Sequence, residues 1–375
     1  MDLFEVYPLF DITPVEARGC WLTDGEGNRY LDLYGGHAVI SIGHSHPHFI
    51  RRLEEQLHRI AFYSNSVHNP LQEALAEKLG AACGLEDYHL FLCNSGAEAN
   101  ENALKLASFQ TGKTRVIAFE NSFHGRTSAA VAATDNPSIT APLNAQHQVT
   151  FLPLNDAGAL ETELSKGDVC AVILESIQGV GGLSMATKSF LESVQELCGK
   201  HRAVFIADEV QSGFGRTGDF FAFQQAGIRP GIVSMAKGMG NGFPVGGILI
   251  HPDFRARYGL LGTTFGGNHL ACAASLAVLE VLREEDLLSN ARSMEKSFRH
   301  LAEGLPEPCQ VKGRGLMLGL EFDFEVAGLR KRLIENDRIF TGSSRNKNLL
   351  RILPALNVGV QELELLFNAL QKELT

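Results

Sequence analysis

The sequence lacks the features that are typical of disulfide-rich proteins, of proteins with a structural metal site and of membrane-spanning proteins. Its seven cysteines are scattered and none form a CxxC pair, so neither a disulfide framework nor a zinc site is indicated. No apolar stretch is long enough to span a bilayer, and residues 1–5 lack the basic region and apolar core of a signal peptide. We therefore expect a protein of the reducing cytoplasm with no membrane partner.

Positive charge is also scarce. Lys and Arg number 33 against 43 Asp and Glu, a net charge of −10 at pH 7, which argues against nucleic acid as the main partner. His44, His46 and His48 lie close together, but their spacing beside Pro47 is not that of a helical ligand pair, and no acidic or cysteine partner is evident. The sequence therefore predicts no metal site.

What is present is an ordinary globular composition over 375 residues, with 45% hydrophobic residues and 38 Gly. Short apolar runs alternate with helical patterns, which predicts an α/β fold with a mostly parallel sheet covered by helices on both faces. The link before the last run, residues 240–244, is too short for a crossover helix, so we expect that strand to be antiparallel. The predicted strands are residues 89–93, 115–119, 148–152, 170–174, 204–207, 232–235 and 247–250.

The pattern changes along the chain in a way that suggests three regions. A hairpin turn at residues 24–28 joins two strand-like pieces near the N-terminus. Helical spacing predicts helices at about 47–58, 99–109 and 270–283. The predicted regions are an N-terminal segment joining a smaller lobe (1–45), a large domain (46–265) and a smaller C-terminal α+β domain (266–375).

Two of the apolar runs end in residues of opposite charge, Asp208 and, 29 residues later, Lys237. The interval has room for a crossover, so the two strands can be parallel neighbours whose ends meet at one edge of the sheet. A pyridoxal phosphate (PLP) enzyme needs this pair: a lysine that binds the cofactor covalently and an acid that keeps the pyridine nitrogen protonated. The alternatives are a magnesium-binding acid or helix cap at Asp208, and a solvated lysine at Lys237.

Residues 94–98 follow a predicted strand and open a helical pattern. Ser95 with Glu98 three residues on is a capping box, and Gly96 allows a ligand to approach the backbone closely. The free N–H groups and the helix dipole make an anion site. An ordinary capped helix would have the same sequence pattern.

Four further residues are candidates for holding a ligand. Phe123 and Arg126 follow a predicted strand, where they supply a stacking surface and a carboxylate fork, or else belong to a surface loop. Thr264 precedes a Gly pair, which suits phosphate binding as well as any capped turn. Arg351 lies inside an apolar run, and a buried arginine implies an anionic partner, either a ligand or a structural salt bridge.

Assembled, these segments resemble the class III aminotransferases of the PLP fold-type I group, and most of all the acetylornithine and succinylornithine members. The resemblance implies PLP as cofactor and a seven-stranded, mostly parallel sheet with a smaller α+β lobe. It runs over nearly the whole chain. The matching motifs are GGHAV (35–39), GHSHP (43–47), NSGAEAN (94–100), FHGR (123–126), ADEVQ (207–211), Lys237, TFGGN (264–268) and Arg351.

The resemblance implies roles around the cofactor ring. Lys237 would bind PLP covalently and then act as the base that moves the substrate proton, which requires its pKa to fall well below its usual value. Asp208 would bind the pyridine nitrogen. Val210 and Phe123 would lie on the two faces of the ring, and Gln211 would bond its phenolic oxygen.

The resemblance also implies how anionic groups are bound. The turn from Ser95 to Ala97 would take the PLP phosphate. Thr264 would reach the phosphate of the neighbouring subunit, which implies a homodimer with active sites at the interface. Arg351 would bind the α-carboxylate of glutamate or 2-oxoglutarate, and Arg126 that of an acylated ornithine.

One position departs from the family pattern. Glu-Pro-x-Gln-Gly-Glu reads Glu175-Ser-Ile-Gln-Gly-Val180 here. Val180 replaces an acid that in the family pairs with the substrate-binding arginine, so we expect Arg351 to be permanently available. The pocket should also be roomier and less acidic, which leaves the acyl group open between acetyl, succinyl and others.

The expected function is the transfer of the δ-amino group of an N-acylornithine, acetyl or succinyl, to 2-oxoglutarate in arginine biosynthesis. The nearest alternative is another class III aminotransferase acting on free ornithine, 4-aminobutyrate or a lysine derivative. A PLP decarboxylase or aminomutase on the same scaffold is a second alternative, and a non-enzymatic binding protein is a third.

Overall fold

The computed structural model describes residues 1–375. The strands are β1 Pro14–Arg18, β2 Trp21–Asp24, β3 Arg29–Asp32, β4 His89–Cys93, β5 Arg115–Phe119, β6 Val149–Leu152, β7 Val169–Leu174, β8 Val204–Asp208, β9 Ile232–Met235, β10 Gly246–Ile250, β11 Gln310–Arg314, β12 Met317–Glu321, β13 Ile339–Phe340 and β14 Leu349–Ile352. The helices are α1 Gly35–Ala38, α2 Pro47–Leu57, α3 Pro70–Cys83, α4 Gly96–Thr111, α5 Ser128–Ala132, α6 Ala157–Leu164, α7 Lys188–His201, α8 His269–Glu284, α9 Leu287–Ala302, α10 Ala327–Asp337 and α11 Val360–Leu374.

The central sheet has seven strands in the order β4-β10-β9-β8-β7-β5-β6. Neighbouring strands pair in parallel except at β10, which lies antiparallel to both β4 and β9. The predicted α/β sheet is therefore confirmed, including the reversed last strand. The predicted bounds of the seven strands agree with the observed ones to within one residue.

The sheet is covered on both faces because its strands carry apolar residues at consecutive positions rather than only at alternate ones. In β8, Val204 and Ile206 belong to a buried cluster that also contains residues of α4. Phe205 and Ala207 face the other way, into a larger cluster that contains residues of α7 and α8. Side chains of successive strand residues point to opposite faces, so one strand contributes to two cores.

The predicted helices are present with shifted ends. The helix predicted at 47–58 is α2, which ends one residue earlier at Leu57, and residues 270–283 form most of α8. The helix predicted at 99–109 begins one turn earlier, at Gly96, because Ser95 caps it, and it ends before Gly112 in the left-handed conformation. No helix is both long and apolar enough to cross a bilayer.

Two smaller sheets accompany the central one. Strands β11, β12 and β14 form an antiparallel sheet near the C-terminus. Strands β1, β2 and β3 form another, which includes the predicted hairpin, and β13 adds to it in parallel with Ile339 opposite Leu31. The N-terminal strands and the C-terminal region thus share a sheet. The domain limits at residues 45 and 265 remain predictions.

Candidate active site

Asp208 and Lys237 meet at one edge of the central sheet. Strands β8 and β9 are parallel neighbours, and Asp208, the last residue of β8, lies opposite Ser234. Lys237 follows β9 in a turn with a positive φ of 47°, a conformation that is uncommon for a residue with a side chain. The side chain of Asp208 is buried. The predicted delivery of a carboxylate and an amine to the same edge is confirmed.

The carboxylate of Asp208 is fixed by three hydrogen bonds. Its Oδ2 accepts from His124 Nδ1 at 2.7 Å and from Asn100 Nδ2 at 2.8 Å, and its Oδ1 accepts from the backbone N–H of Val210 at 3.0 Å. Sequence reasoning assigned no role to His124 or Asn100, although both lie inside the quoted motifs. They are 84 and 108 residues from Asp208 along the chain, so only the fold reveals the contacts.

Burial and neighbouring charges compete at Lys237. Burial lowers the pKa of Lys237, while Asp208 and Glu175 raise it and Arg351 adds to the lowering. The net direction is down, towards the basicity that a proton-transferring amine needs. Glu175 is itself buried, which raises its pKa, and its oxygens accept from the backbone N–H groups of Phe123 and Gly179, each at 2.9 Å.

The turn before α4 is built as an anion site. The side chain of Ser95 accepts a hydrogen bond from the N–H of Glu98 at 3.2 Å. The predicted capping box is only half formed, because Glu98 accepts from the N–H of Asn94 at 2.8 Å instead of that of Ser95. The first N–H groups of a helix have no intrahelical acceptor, and here they open on the same cavity as Asp208 and Lys237.

A cavity of about 370 Å³ joins these groups. Among its lining residues are nine of the residues predicted for the site. They are Ser95, Gly96, Ala97, Phe123, Arg126, Asp208, Val210, Gln211 and Lys237. Val180 and Glu175 also line it. Arg126 is exposed at this site, whereas Phe123 is half-buried.

Two predicted residues do not line the cavity. Thr264 is exposed, in the loop that precedes α8. Arg351 lies behind the cavity wall in β14 and is only 3% exposed. Its Nη1 donates to the carbonyl of Gly179 at 2.6 Å and its Nε to that of Ser343 at 2.5 Å. No carboxylate pairs with it, so the structural salt bridge is ruled out, and burial lowers its pKa.

Gln211 carries an unused acceptor. Its Nε2 donates to the carbonyl of His37 at 3.0 Å, but its Oε1 is buried and has no hydrogen-bond partner. A buried polar atom without a partner costs about 1–3 kcal/mol, so this oxygen is suited to a ligand that brings a hydroxyl or another donor.

The three clustered histidines do have acidic partners, contrary to the sequence reading. His44 contacts Asp32 at 2.8 Å, His46 contacts Glu285 at 2.8 Å, and His48 contacts Glu280 at 2.7 Å. The last two pairs join residues that are 239 and 232 positions apart in sequence. The three carboxylates are separate, and no group of three or more potential ligands is arranged to hold a metal ion.

Comparison with known proteins defines the class. The family Aminotransferase class-III matches residues 5–374, and the chain belongs to that family. The chain is 40% identical over 371 residues to the acetylornithine aminotransferase of Bacillus subtilis, covering 96% of this chain and 94% of that protein. It is 36% identical to the acetylornithine aminotransferase of Methanosarcina acetivorans, covering 95% of this chain and 90% of that protein.

Solved structures agree. The ornithine aminotransferase of Toxoplasma gondii superimposes with a TM-score of 0.89 at 27% identity, covering 98% of this chain and 91% of that one. The acetylornithine aminotransferase of Elizabethkingia anophelis superimposes with a TM-score of 0.85 at 29% identity, covering 98% of this chain and 94% of that one. A second structure of the Toxoplasma gondii ornithine aminotransferase has PLP at partial occupancy in its active site. It superimposes with a TM-score of 0.89 at 28% identity, covering 97% of this chain and 90% of that one.

The chain is therefore a PLP-dependent transaminase, and its residues fit the cofactor. An anion turn at Ser95, a fixed carboxylate at Asp208, a buried amine at Lys237 and the free acceptor of Gln211 surround one cavity. When bound, PLP supplies the electron sink that lets an amino group pass between an amino acid and a keto acid. The protein's contribution is to bind and orient the reactants and to supply the group that moves the proton.

Proposed function

We propose that this enzyme moves the δ-amino group of an N-acylornithine to 2-oxoglutarate, giving the N-acylglutamate semialdehyde and glutamate, in arginine biosynthesis. The observation that carries the proposal is the set of relatives named acetylornithine aminotransferase, which are 35–40% identical over nearly the whole chain. Arg126 lines the cavity, and Arg351 behind it has no carboxylate partner, which supports substrates that carry carboxylates.

Each site residue has a proposed role. Lys237 holds and returns the proton, and Asp208 keeps the cofactor nitrogen protonated. Val210 and Phe123 lie on the faces of the ring, and the side-chain amide of Gln211 bonds its phenolic oxygen. The turn from Ser95 to Ala97 binds the phosphate through backbone N–H groups.

The two arginines divide the substrate carboxylates between them in this proposal. Arg351 binds the α-carboxylate of 2-oxoglutarate, and of the glutamate formed from it, in their half-reaction, and it has no internal acid to pair with in either half-reaction because position 180 is a valine. Arg126, at the exposed side, binds the α-carboxylate of the acylornithine.

A panel of amino donors tests the function. N-acetylornithine, N-succinylornithine, free ornithine and 4-aminobutyrate are each assayed with 2-oxoglutarate, and the glutamate formed is measured. We expect turnover of one or both acylated donors, with free ornithine at least about tenfold poorer in kcat/KM. Turnover of free ornithine with none of either acylated donor would overturn the proposal.

Free ornithine is the second candidate, favoured by one observation. Ornithine aminotransferases are among the solved structures most similar in fold, with TM-scores of 0.84–0.89 at 25–28% identity. The higher identity to acetylornithine enzymes ranks it second. The same panel separates the two.

We further propose a cytoplasmic homodimer in which Thr264 of one subunit binds the PLP phosphate of the other. Thr264 is exposed and lies outside the cavity of its own chain. Beside it the exposed aromatic rings of Phe62 and Phe265 pack at a tilt with their centres 5.3 Å apart, and Tyr63 is 56% exposed. Apolar surface of this kind indicates a protein interface. All seven cysteines are free thiols, as the cytoplasm maintains them.

Mixing two defective subunits tests the shared site. In a heterodimer of one Lys237→Ala subunit and one Thr264→Ala subunit, one site combines the intact lysine with the intact threonine of the other chain. We expect such a heterodimer to regain about half of the wild-type activity per dimer, above either homodimer. If the threonine acted within its own chain, the only lysine would lie in the subunit that lacks the threonine, and activity would not exceed that of the Thr264→Ala homodimer. Sedimentation velocity checks that a dimer forms.

A further inference from the structure

Next to the active site, four residues form a cluster that contains two guanidinium groups and no carboxylate. It consists of Tyr34, Arg330, Thr341 and Arg351, and we call it the arginine cluster. Arg351 is the buried arginine behind the cavity wall. Arg330 comes from α10 and is half-buried.

The backbone from Thr341 to Ser343 joins the two arginines. Arg330 Nη2 donates to the carbonyl of Thr341 at 3.1 Å. The next residue, Gly342, exchanges two backbone hydrogen bonds with Arg351, at 2.8 and 3.0 Å. A Cβ at Gly342 would lie 2.8 Å from the ring of Tyr34 and 3.1 Å from the Cβ of Arg351. Tyr34 therefore covers the short stretch of chain that both arginines hold.

The positive charge of the cluster has no partner within it. Neither arginine forms a salt bridge, and both bind only carbonyl oxygens. Arg330 Nε and Thr341 Oγ1 are buried and have no hydrogen-bond partner at all. Burial lowers the pKa of both guanidinium groups, and Arg330 lowers the pKa of Arg351 further. Close, desolvated like charges are costly unless an anion balances them.

The neighbouring titratable groups do not supply that anion. Asp32 accepts from the N–H groups of Tyr34 and Gly35 and contacts His44, and it pairs with neither arginine. Burial raises the pKa of Tyr34, so its phenol is neutral near pH 7. His37, whose ring lies 4.8 Å from that of Tyr34, has its pKa lowered by burial, Arg351 and Lys237. Glu175 acts on Arg351 from the cavity side, but its oxygens are occupied by two backbone N–H groups.

We propose that Arg330 is a positioning residue for the substrate carboxylate that Arg351 binds. It adds a second positive charge behind Arg351, within a site where Tyr34 supplies no compensating charge, and so strengthens carboxylate binding without touching the reacting atoms. The inference rests on the proposed function only in that Arg351 receives a carboxylate; it does not depend on which amino donor is used.

Binding of glutarate to the PLP-loaded enzyme tests this role directly. Glutarate is the five-carbon dicarboxylate that lacks the keto group of 2-oxoglutarate, so it binds without reacting, and calorimetry gives its affinity. We compare wild type with Arg330→Gln, with Arg330→Lys, which keeps the charge, and with Lys331→Gln. Lys331 is an exposed neighbour on the same helix, paired only with Glu335, and serves as the matched control.

We expect Arg330→Gln to weaken glutarate binding by about fivefold, and Arg330→Lys and Lys331→Gln to stay within about twofold of wild type. The affinity of Arg330→Gln should also depend less on salt, because one cation is gone. In turnover, KM for 2-oxoglutarate should rise with kcat nearly unchanged.

Unchanged glutarate affinity in Arg330→Gln would overturn the proposal. A loss of the same size in Arg330→Lys would also overturn it, since a structural contact and not the charge would then matter. Failure of the acylornithine assay leaves both measurements intact, so the two proposals fail separately.

Discussion

Val180 lines the cavity one residue after Gly179, whose carbonyl accepts from Arg351 at 2.6 Å. A carboxylate at position 180 would be close to a guanidinium that has no acidic partner. Charge-assisted pairs of this kind are shorter and stronger than neutral hydrogen bonds. In the proposed function, the side chain at position 180 therefore determines whether Arg351 is free to bind substrate.

Val180→Glu should raise the KM for 2-oxoglutarate by about tenfold, because an internal pair worth about 1.5 kcal/mol must break before the keto acid binds. The KM for the amino donor should change less. Steady-state kinetics with each substrate varied in turn measures both. Val180→Leu is the control, since it keeps the wall apolar and leaves Arg351 unpaired; an equal rise in that variant would contradict the explanation.

At the residue scale, sequence predicted those site residues whose position follows from a strand end. Asp208, Lys237 and Ser95 are of this kind. His124 and Asn100 were not assigned because their role is to contact Asp208, 84 and 108 residues away. The partners of the three histidines were missed for the same reason: a contact between remote segments leaves no local pattern.

At the scale of single elements, the turn from Ser95 to Ala97 packs closely against the residues that follow β8. A Cβ on Gly96 would lie 2.6 Å from Cγ1 of Val210 and 3.1 Å from its Cγ2, closer than side chains tolerate. The absence of a side chain at Gly96 lets α4 begin beside Val210, the residue proposed to face the cofactor ring.

Gly96→Ala should destabilise the folded enzyme by about 1–3 kcal/mol, the usual cost of overpacking, and should weaken PLP binding by moving the N–H groups of the turn. Urea unfolding and absorbance titration with PLP measure the two effects. Gly158→Ala in α6 is the control, because its Cβ would meet only Asp156 at 3.5 Å, an ordinary contact. If Gly96→Ala unfolds and binds PLP as the control does, the close fit is not important.

Strands of the central sheet were predictable because each is a short, mainly apolar run of strand length, and helical patterns lie between several of them. β1 was not, since its residues are almost all exposed and carry no alternation. It is a strand only because β2 lies beside it. Pairing, not composition, determines such an edge strand.

For the molecule as a whole, stability involves a buried carboxylate, Glu209, that does not line the cavity. Glu209 is fully buried and accepts from the hydroxyl of Ser212 at 2.7 Å and the N–H groups of Ala222 and Phe223 at 2.9 and 3.0 Å. These bonds tie the end of β8 to the segment before β9. Burial raises the pKa of Glu209 to about 7, although these hydrogen bonds act to lower it.

A raised carboxyl pKa means that the folded state binds the Glu209 proton more tightly than the unfolded state does. The contribution of Glu209 to stability is therefore greatest below its unfolded pKa, near 4.5, and is lost as the pH rises through about 7. Glu209→Gln removes this titration. The free energy of unfolding of wild type should fall relative to that variant by up to about 3 kcal/mol between pH 5 and pH 8.

Urea unfolding of both PLP-loaded proteins across that pH range measures the difference. Parallel profiles would contradict the role of Glu209. The overall level of stability of Glu209→Gln is expected to be lower, because an amide nitrogen cannot accept from the N–H of Ala222; only the pH dependence bears on the prediction.

The reversed strand β10 affects the size of the molecule that the site can bind. It separates β4, which leads to the turn at residues 95–97, from β9, which leads to Lys237. Two steps of about 4.8 Å across a sheet place these strand ends about 10 Å apart. At Gly246, where β10 begins, a Cβ would come within 2.8 Å of the Ser95 carbonyl and 3.0 Å of that of Met235, so only a bare backbone fits. The spacing between hydrogen-bonded strands thus determines how long a bound molecule must be to reach both the turn at residues 95–97 and the amine of Lys237.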